Sequence, residues 1–312
     1  MRIVFLGTGE IGLPTLRYLL ANSEHEIVGV VTQPDRPVGR KLILTPPAVK
    51  VLATEAGVPV FQPEKIRNFV EPLRELNADL FIVVAYGQLL SQAVLDVPRL
   101  ACLNLHASLL PKHRGASPIQ SAILAGDTET AMTVMYVSLG LDSGDVLLSE
   151  NIVIDPQETG GSLHDKLAEI GPSALDKALK LISSGTAPRI PQDESAMTHC
   201  RKLLREHGVL NWTQPAVELE RRIRAFDPWP GTSTLVKTPD GSTKTLKLFP
   251  QVDIESTSGP AGSVAESGNH GLVICCGEGS LRFHEVQLEG KRRMKVGEFL
   301  AGCPLPPGTI LG

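Results

Sequence analysis

The apolar run LFIVVA at 80–85 stops abruptly at Tyr86-Gly87. A short run with no polar alternation fits a strand covered on both faces, the situation of an inner strand in a parallel sheet. Parallel strands need crossover connections, and the chain supplies them. Strand signals at 2–6, 27–32 and 59–61 alternate with helix signals at 14–21, 48–56 and around 69–76. The first part of the chain is therefore expected to be an α/β domain built on a Rossmann-like, mostly parallel sheet.

The pattern continues with a strand at 101–105, a helix at 118–125, a strand at 132–137 and separate strand signals at 146–148 and 151–154. Leu163, Leu167, Ile170, Leu175, Ala178, Leu179 and Ile182 recur at helical spacing, which predicts a long amphipathic helix over 162–184. Pro188, Pro191 and the polar residues after them read as a linker. From about Arg205 one helix, 215–226, precedes short strands such as 245–249, 272–276 and 281–286, separated by Gly and Pro turns. That grammar suits a small β-barrel. The expected division is a catalytic domain at 1–187, a linker at 188–204 and a C-terminal domain at 205–312.

Composition narrows the function classes. Hydrophobic residues make up 42% and charged residues 21%, as in a soluble globular protein. Met1 leads straight into a strand and no run approaches the roughly 20 apolar residues of a membrane span, so a cytoplasmic protein with no membrane partner is expected. Cys102, Cys200, Cys275, Cys276 and Cys303 form an odd set without CxxC spacing, against both a disulfide framework and a zinc site. The net charge of −4 leaves no global nucleic-acid footprint, so RNA binding would have to come from local basic surface.

Two stretches carry candidate chemistry. Asn104 and His106 sit two apart on the strand at 101–105 and its end, so they project from one face. Ser108, Pro111, Gly115 and Pro118 then stop the strand. That places an amide and an imidazole at a strand's carboxyl end, where open α/β sheets bind ligands. The pair suits polarising a carbonyl and moving a proton, although such residues at a strand end are more often solvated turn residues or hydrogen-bonded structural groups, and the pair alone favours that role. The rival stretch is Gly7-Thr8-Gly9-Glu10-Ile11-Gly12, a GxGxxG between a strand and a helix, with Asp35 beyond the next strand. Taken alone it points to a nicotinamide-dependent oxidoreductase. Asp35, however, lies in Gln33-Pro34-Asp35-Arg36-Pro37 and reads as a turn residue. The segment 33–47 has four prolines before Ala48 and is expected to be a long loop without regular structure.

The longer run Asn104-Leu105-His106-Ala107-Ser108-Leu109-Leu110-Pro111, with Arg114-Gly115 and Pro118-Ile119-Gln120, resembles the signature of the folate-dependent formyltransferases. Asp142, in Gly140-Leu141-Asp142-Ser143-Gly144, completes that family's Asn, His and Asp set. Residues 223–231, IRAFDPWPG, and Glu285 to Leu288 with Lys291 to Met294 are similar to its C-terminal OB-like domain, so the resemblance covers nearly the whole chain. Family members usually have Pro and an aromatic where this chain has Gly9 and Ile11, a departure that creates the apparent dinucleotide fingerprint.

The resemblance implies transfer of a formyl group from 10-formyltetrahydrofolate to the α-amine of methionine on initiator tRNA, with no metal. Asn104 and His106 would stabilise the oxyanion. Asp142 would hold His106 in one tautomer, favour its charged form, or accept the amine's proton. Folate would meet Ser108, Leu109, Leu110 and Pro111, the backbone of Tyr86, Gly87, Gln88 and Leu89, and Leu139, Gly140 and Leu141. By resemblance, tRNA would meet Arg36, Arg40 and Lys41 in the proline-rich loop and Lys291, Arg292 and Arg293 in the C-terminal domain, with Arg221, Arg222 and Arg224 as further cations. Leu42, Ile43 and Leu44 either wedge into the acceptor stem or anchor the loop to its own domain. A sugar nucleotide or glycinamide ribonucleotide remains an alternative acceptor. The histidines other than His106 are read as surface or structural.

Overall fold

The computed structural model describes residues 1–39 and 42–312. Arg40 and Lys41 lie outside the described residues. The chain begins with β1 (Arg2–Gly7), α1 (Leu13–Ala21), β2 (Glu26–Val31), β3 (Arg36–Val38), β4 (Ile43–Thr45), α2 (Ala48–Glu55), β5 (Val60–Phe61) and α3 (Val70–Glu75). It continues through β6 (Leu80–Val84), α4 (Gln92–Leu95), β7 (Ala101–His106), β8 (Arg114–Gly115), α5 (Pro118–Ala125), β9 (Glu129–Tyr136), β10 (Val146–Val153), α6 (Gly160–Ser183) and β11 (His199–Cys200). Two compact units result: Met1–Pro118 with Glu129–Val153 and His164–Cys200, and Ile119–Thr128 with Ile154–Leu163 and Arg201–Gly312.

The first unit holds a seven-stranded sheet in the order β10-β9-β7-β6-β1-β2-β5. The five strands from β7 to β5 run parallel, and β9 and β10 add an antiparallel extension beyond β7. Every residue of β6 is buried, as its unbroken apolar run predicts. On one face Val4, Leu6, Phe81 and Val83 pack with Ile66, Leu73, Tyr86 and Val94. Burying side chains of this size contributes about 1.5–3 kcal/mol each, which fixes the register of the central strands. Register then decides function: pairing of Val83 with Asn104 sets the carboxyl ends of β6 and β7 side by side.

Three local expectations are corrected. The segment 33–47 is not devoid of regular structure, because β3 and β4 pair as a short antiparallel hairpin. Pro37 is tolerated there because both strands of a two-stranded ribbon are edges, where a missing N–H need not break a ladder. The signals at 146–148 and 151–154 belong to one strand, β10, with an irregularity between Val146 and Leu148. Of the two polar residues between them, Ser149 faces the exposed side, and Glu150, half-buried on the other, pairs with Lys177 at 2.7 Å. Within the expected linker 188–204, Ile190 pairs with Val146 and β11 pairs in parallel with β8. The first part of that segment is therefore bonded structure rather than a tether.

The second unit contains α7 (Ala216–Ala225), β12 (Thr232–Lys237), β13 (Thr243–Leu248), β14 (Asp253–Glu255), β15 (Val264–Gly268), β16 (Gly271–Cys275), β17 (Ser280–Phe283), β18 (Glu285–Leu288), β19 (Met294–Lys295) and α8 (Val296–Gly302). Its strands form two four-stranded antiparallel sheets, β12-β13-β18-β19 and β14-β17-β16-β15. They share a core that includes Trp212, Leu219, Ile223, Leu246, Ile274, Phe283 and Phe299. The Trp212 ring meets Phe283 edge-on with centroids 6.1 Å apart, and its indole N–H donates to Thr234 Oγ1 at 3.0 Å. The strand expected at 281–286 is two, since the chain passes from one sheet to the other at His284. Among the described residues no helix is long and apolar enough to cross a membrane.

Candidate active site

Asn104 and His106 project from the same face of β7, and Asp142 meets both. Asn104 Nδ2 donates to Asp142 Oδ1 at 3.4 Å, and His106 Nδ1 lies 3.6 Å from Asp142 Oδ2. The Gly115 backbone N–H donates to the same Oδ2 at 2.9 Å. His106 is only 6% exposed. Its Nε2 lies 3.0 Å from the carbonyl oxygen of His113, which can only accept, so Nε2 carries hydrogen and Nδ1 is the nitrogen turned to Asp142. Sequence alone left His113 and Cys200 outside the site. His113 supplies this orienting carbonyl, and the Cys200 thiol donates to the same oxygen at 3.3 Å.

The turn that carries Asp142 is built at close quarters. The chain leaves β9 at Tyr136, beside Leu103, and Asp145 returns so that its carbonyl accepts from Tyr136 N at 2.9 Å. A Cβ on Gly144 would stand 1.8 Å from the Tyr136 carbonyl oxygen, so only glycine closes this turn. Asp142 itself has φ 47°, a region a non-glycine residue occupies only when its surroundings fix it. Gly115 has φ 126°, and a Cβ there would meet the Cys200 carbonyl oxygen at 2.1 Å. The first approach closes the turn, and the second sets the Gly115 N–H on the Asp142 carboxylate.

The loops expected to meet folate divide into exposed and structural members. Ala85, Gly87 and Leu89 are exposed after β6, and Leu139, Gly140 and Leu141 are exposed in the Asp142 turn. Together they offer apolar and backbone surface of the kind a flat heterocycle needs. Gln88 accepts from the Ile66 N–H at 2.8 Å and anchors its loop. Tyr86 is buried in the core, and burial pushes its phenol up to about 12. Ser108 is fully buried, and its hydroxyl donates to the Lys112 carbonyl at 2.7 Å. The hydroxyl thereby closes the 108–112 turn. Leu110 is buried as well, whereas Leu109 and Pro111 are partly exposed.

The apparent dinucleotide site is organised differently from its sequence. Thr8 Oγ1 donates to the Tyr86 carbonyl and accepts from the Gln33 N–H, tying the loop after β1 to the loop after β6. Both Asp35 oxygens are held by Lys50 Nζ at 2.8–2.9 Å, and Gln62 donates to one of them. These hydrogen bonds, Gln62's first and then Lys50's, hold the Asp35 carboxyl below its usual range. Asp35, the acid beyond the second strand, is thereby committed to Lys50 of α2.

The cations expected to meet tRNA are mixed in character. Arg36 pairs loosely with Glu64 at 3.7 Å, both side chains being exposed. Arg292 pairs with Glu298. Arg293 pairs with Glu285 at 2.6 Å and lies over the Phe249 ring. Lys291 is exposed and makes no ion pair among the described residues. Arg224 is a structural residue, buried, bonded to Glu220 and donating to the Glu158 carbonyl at 2.9 Å. Arg222 donates to the His207 carbonyl at 3.4 Å. Arg221 packs its guanidinium beside Gly126.

Residues 1–179 match the family model described as formyl transferase, and residues 202–304 match the formyl transferase C-terminal domain. A methionyl-tRNA formyltransferase of Akkermansia muciniphila is 48% identical over 307 residues, covering 97% of each chain. One from Geobacter metallireducens is 45% identical over 314 residues, covering 100% of this chain and 99% of its own. Among solved structures, the sugar 3N-formyl transferase WlaRD, crystallised with dTDP and 5-N-formyl-THF, gives a TM-score of 0.65 at 17% identity. That match covers 94% of this chain and 99% of WlaRD. HypX from Aquifex aeolicus, in complex with tetrahydrofolic acid, gives 0.61 at 19% identity over 96% of this chain, which spans 47% of HypX. At such identities the two structures speak to the fold alone. By both of its domains, the chain belongs to the formyl transferase family.

Proposed function

We infer that this protein transfers the formyl group of 10-formyltetrahydrofolate to the α-amine of methionine on initiator tRNA. The observation that carries formyl transfer is Asp142 bridging Asn104 and His106 at the carboxyl end of β7. The acceptor rests on full-length identity to methionyl-tRNA formyltransferases. Residues 1–187 hold the formyl-folate site and residues 205–312 contribute tRNA binding, with the exposed Lys291 open to phosphate. Initiator tRNA is charged and used in the cytoplasm, and the protein acts there.

The chemistry follows from the donors and acceptors. Attack of the amine on the formyl carbon makes a C–N bond and places negative charge on the formyl oxygen. Asn104 offers side-chain N–H donors, and a proton on His106 Nδ1 offers another; removing one such donor typically costs about 10²–10³ in rate. Asp142 takes the proton the amine gives up. Breakage of the bond to folate N10 returns a proton to that nitrogen. Acid–base help of this kind contributes about 10²–10⁴. The Gly115 N–H and the Asn104 amide hold the carboxylate in place for that exchange. The test is single-turnover transfer by Asp142→Asn and Asn104→Ala. Both should bind folate and tRNA yet transfer slowly, and near-normal transfer by either would remove that residue from the mechanism.

A further inference from the structure

The segment 188–196 has the composition of a linker, yet its side chains reach the catalytic turn. Gln192 Nε2 donates to the Asp142 carbonyl at 2.9 Å and to the Gly144 carbonyl at 2.7 Å. Its Oε1 accepts from Arg114 Nε at 2.9 Å. Arg114 is buried, and its two terminal nitrogens grip Glu194 at 2.7 and 3.2 Å. The next residue, Gly115, gives its N–H to Asp142 Oδ2. One unit therefore holds Asp142 from two sides, by its own carbonyl through Gln192 and by its carboxylate through Gly115. Asp142 sits in left-handed backbone, where these bonds over-determine a conformation that the residue alone would not keep.

We propose that Gln192 is a positioning residue for Asp142: its amide, braced by Arg114 and Glu194, fixes the turn that presents the carboxylate to Asn104 and His106. The assignment rests on the catalytic reading of Asp142. Gln192 touches no reacting atom. Its effect passes through a carboxylate whose displacement by about 1 Å is enough to cost roughly a hundredfold in rate. The arms of the amide are not interchangeable, since both N–H groups face carbonyl oxygens and only Oε1 faces a cation.

The experiment is a double-mutant cycle on the full-length enzyme, with kcat, the KM for each substrate and Tm measured for Gln192→Leu in the wild-type and Asp142→Asn backgrounds. In wild type, Gln192→Leu should lower kcat roughly ten- to a hundredfold and leave both KM values in place. With Asp142→Asn already present, the same substitution should change the rate little, because the group it positions is gone. An equal loss in both backgrounds, or an unchanged kcat in wild type, overturns the proposal. Near-wild-type turnover by Asp142→Asn alone removes Asp142 from the chemistry and the proposal with it. Should Gln192→Leu not fold, Gln192→Glu keeps the volume and replaces the donors with acceptors. Its kcat should then be low at neutral pH and recover relative to wild type as acid protonates the new carboxyl and restores a donor. A constant ratio to wild type across pH counts against it.

Discussion

His106 Nε2 lies 3.0 Å from the carbonyl oxygen of His113, and this bond decides which ring nitrogen works. With Nε2 committed as a donor, Nδ1 is the ring nitrogen left for the proposed reaction, 3.6 Å from Asp142 Oδ2. His106→Asn should therefore lower kcat by about 10²–10³ while folate affinity, read by fluorescence titration, stays at its wild-type value. Weakened folate binding with an unchanged chemical step would place His106 in binding instead.

Gly144→Ala puts a methyl 1.8 Å from the Tyr136 carbonyl oxygen, so the turn must open. The expected cost is about 1–3 kcal/mol of stability, as for other overpacked sites, together with a lower kcat as Asp142 moves. Calorimetry and steady-state kinetics on one preparation check both. A stable variant with full activity would mean that the turn yields without moving the carboxylate.

Asp79 links the start of β1 to the segment before β7. Its Oδ2 accepts from the Arg2 backbone N–H at 2.7 Å, and Arg99 pairs with Oδ1. The Arg2 bond, reinforced by Arg99, holds the carboxyl below its ordinary value of 3.8. Since the folded value is the lower one, the stabilisation is present above 3.8 and is lost as pH falls through the folded value. Asp79→Asn keeps an acceptor and removes the charge. Urea unfolding should show a stability deficit at pH 7 that closes towards pH 3; a deficit that persists undiminished in acid would assign the effect to lost packing.

Leu42, Ile43 and Leu44 are 72%, 60% and 64% exposed, too open to anchor the β3–β4 hairpin to its own unit. Triple substitution to Ser should leave Tm and folate binding unchanged and lower kcat/KM for initiator tRNA, as expected of an apolar wedge. A lowered Tm would restore the anchoring role.

The elements legible in the sequence are those whose patterning is local. β6 has no polar residue to place, and the period of two alone sets Asn104 and His106 on one face. What stayed hidden depends on distant partners. Gln192 lies 50 residues beyond Asp142, so a proline-rich polar stretch gave no sign that its amide closes the Asp142 turn. His113 acts through its backbone carbonyl, which no side-chain motif records. At 281–286 the alternation slips by one residue where the chain passes between sheets at His284, from buried 281 and 283 to buried 286 and 288, and the adjacent polar pair His284-Glu285 is a mark too short to read as a break between strands. The motif marks Ser108, but not that its hydroxyl fastens the 108–112 turn at the Lys112 carbonyl.

The central claim is that this site donates a formyl group to methionine on initiator tRNA. The most direct measurement supplies formyl-labelled 10-formyltetrahydrofolate with charged initiator tRNA, a sugar-nucleotide amine and glycinamide ribonucleotide together, and follows the label at early times. The account predicts label in N-formylmethionine released from the tRNA, with wild-type enzyme and not with Asp142→Asn. Label in the sugar or the ribonucleotide instead, or no transfer from the folate to any of the three, would contradict it.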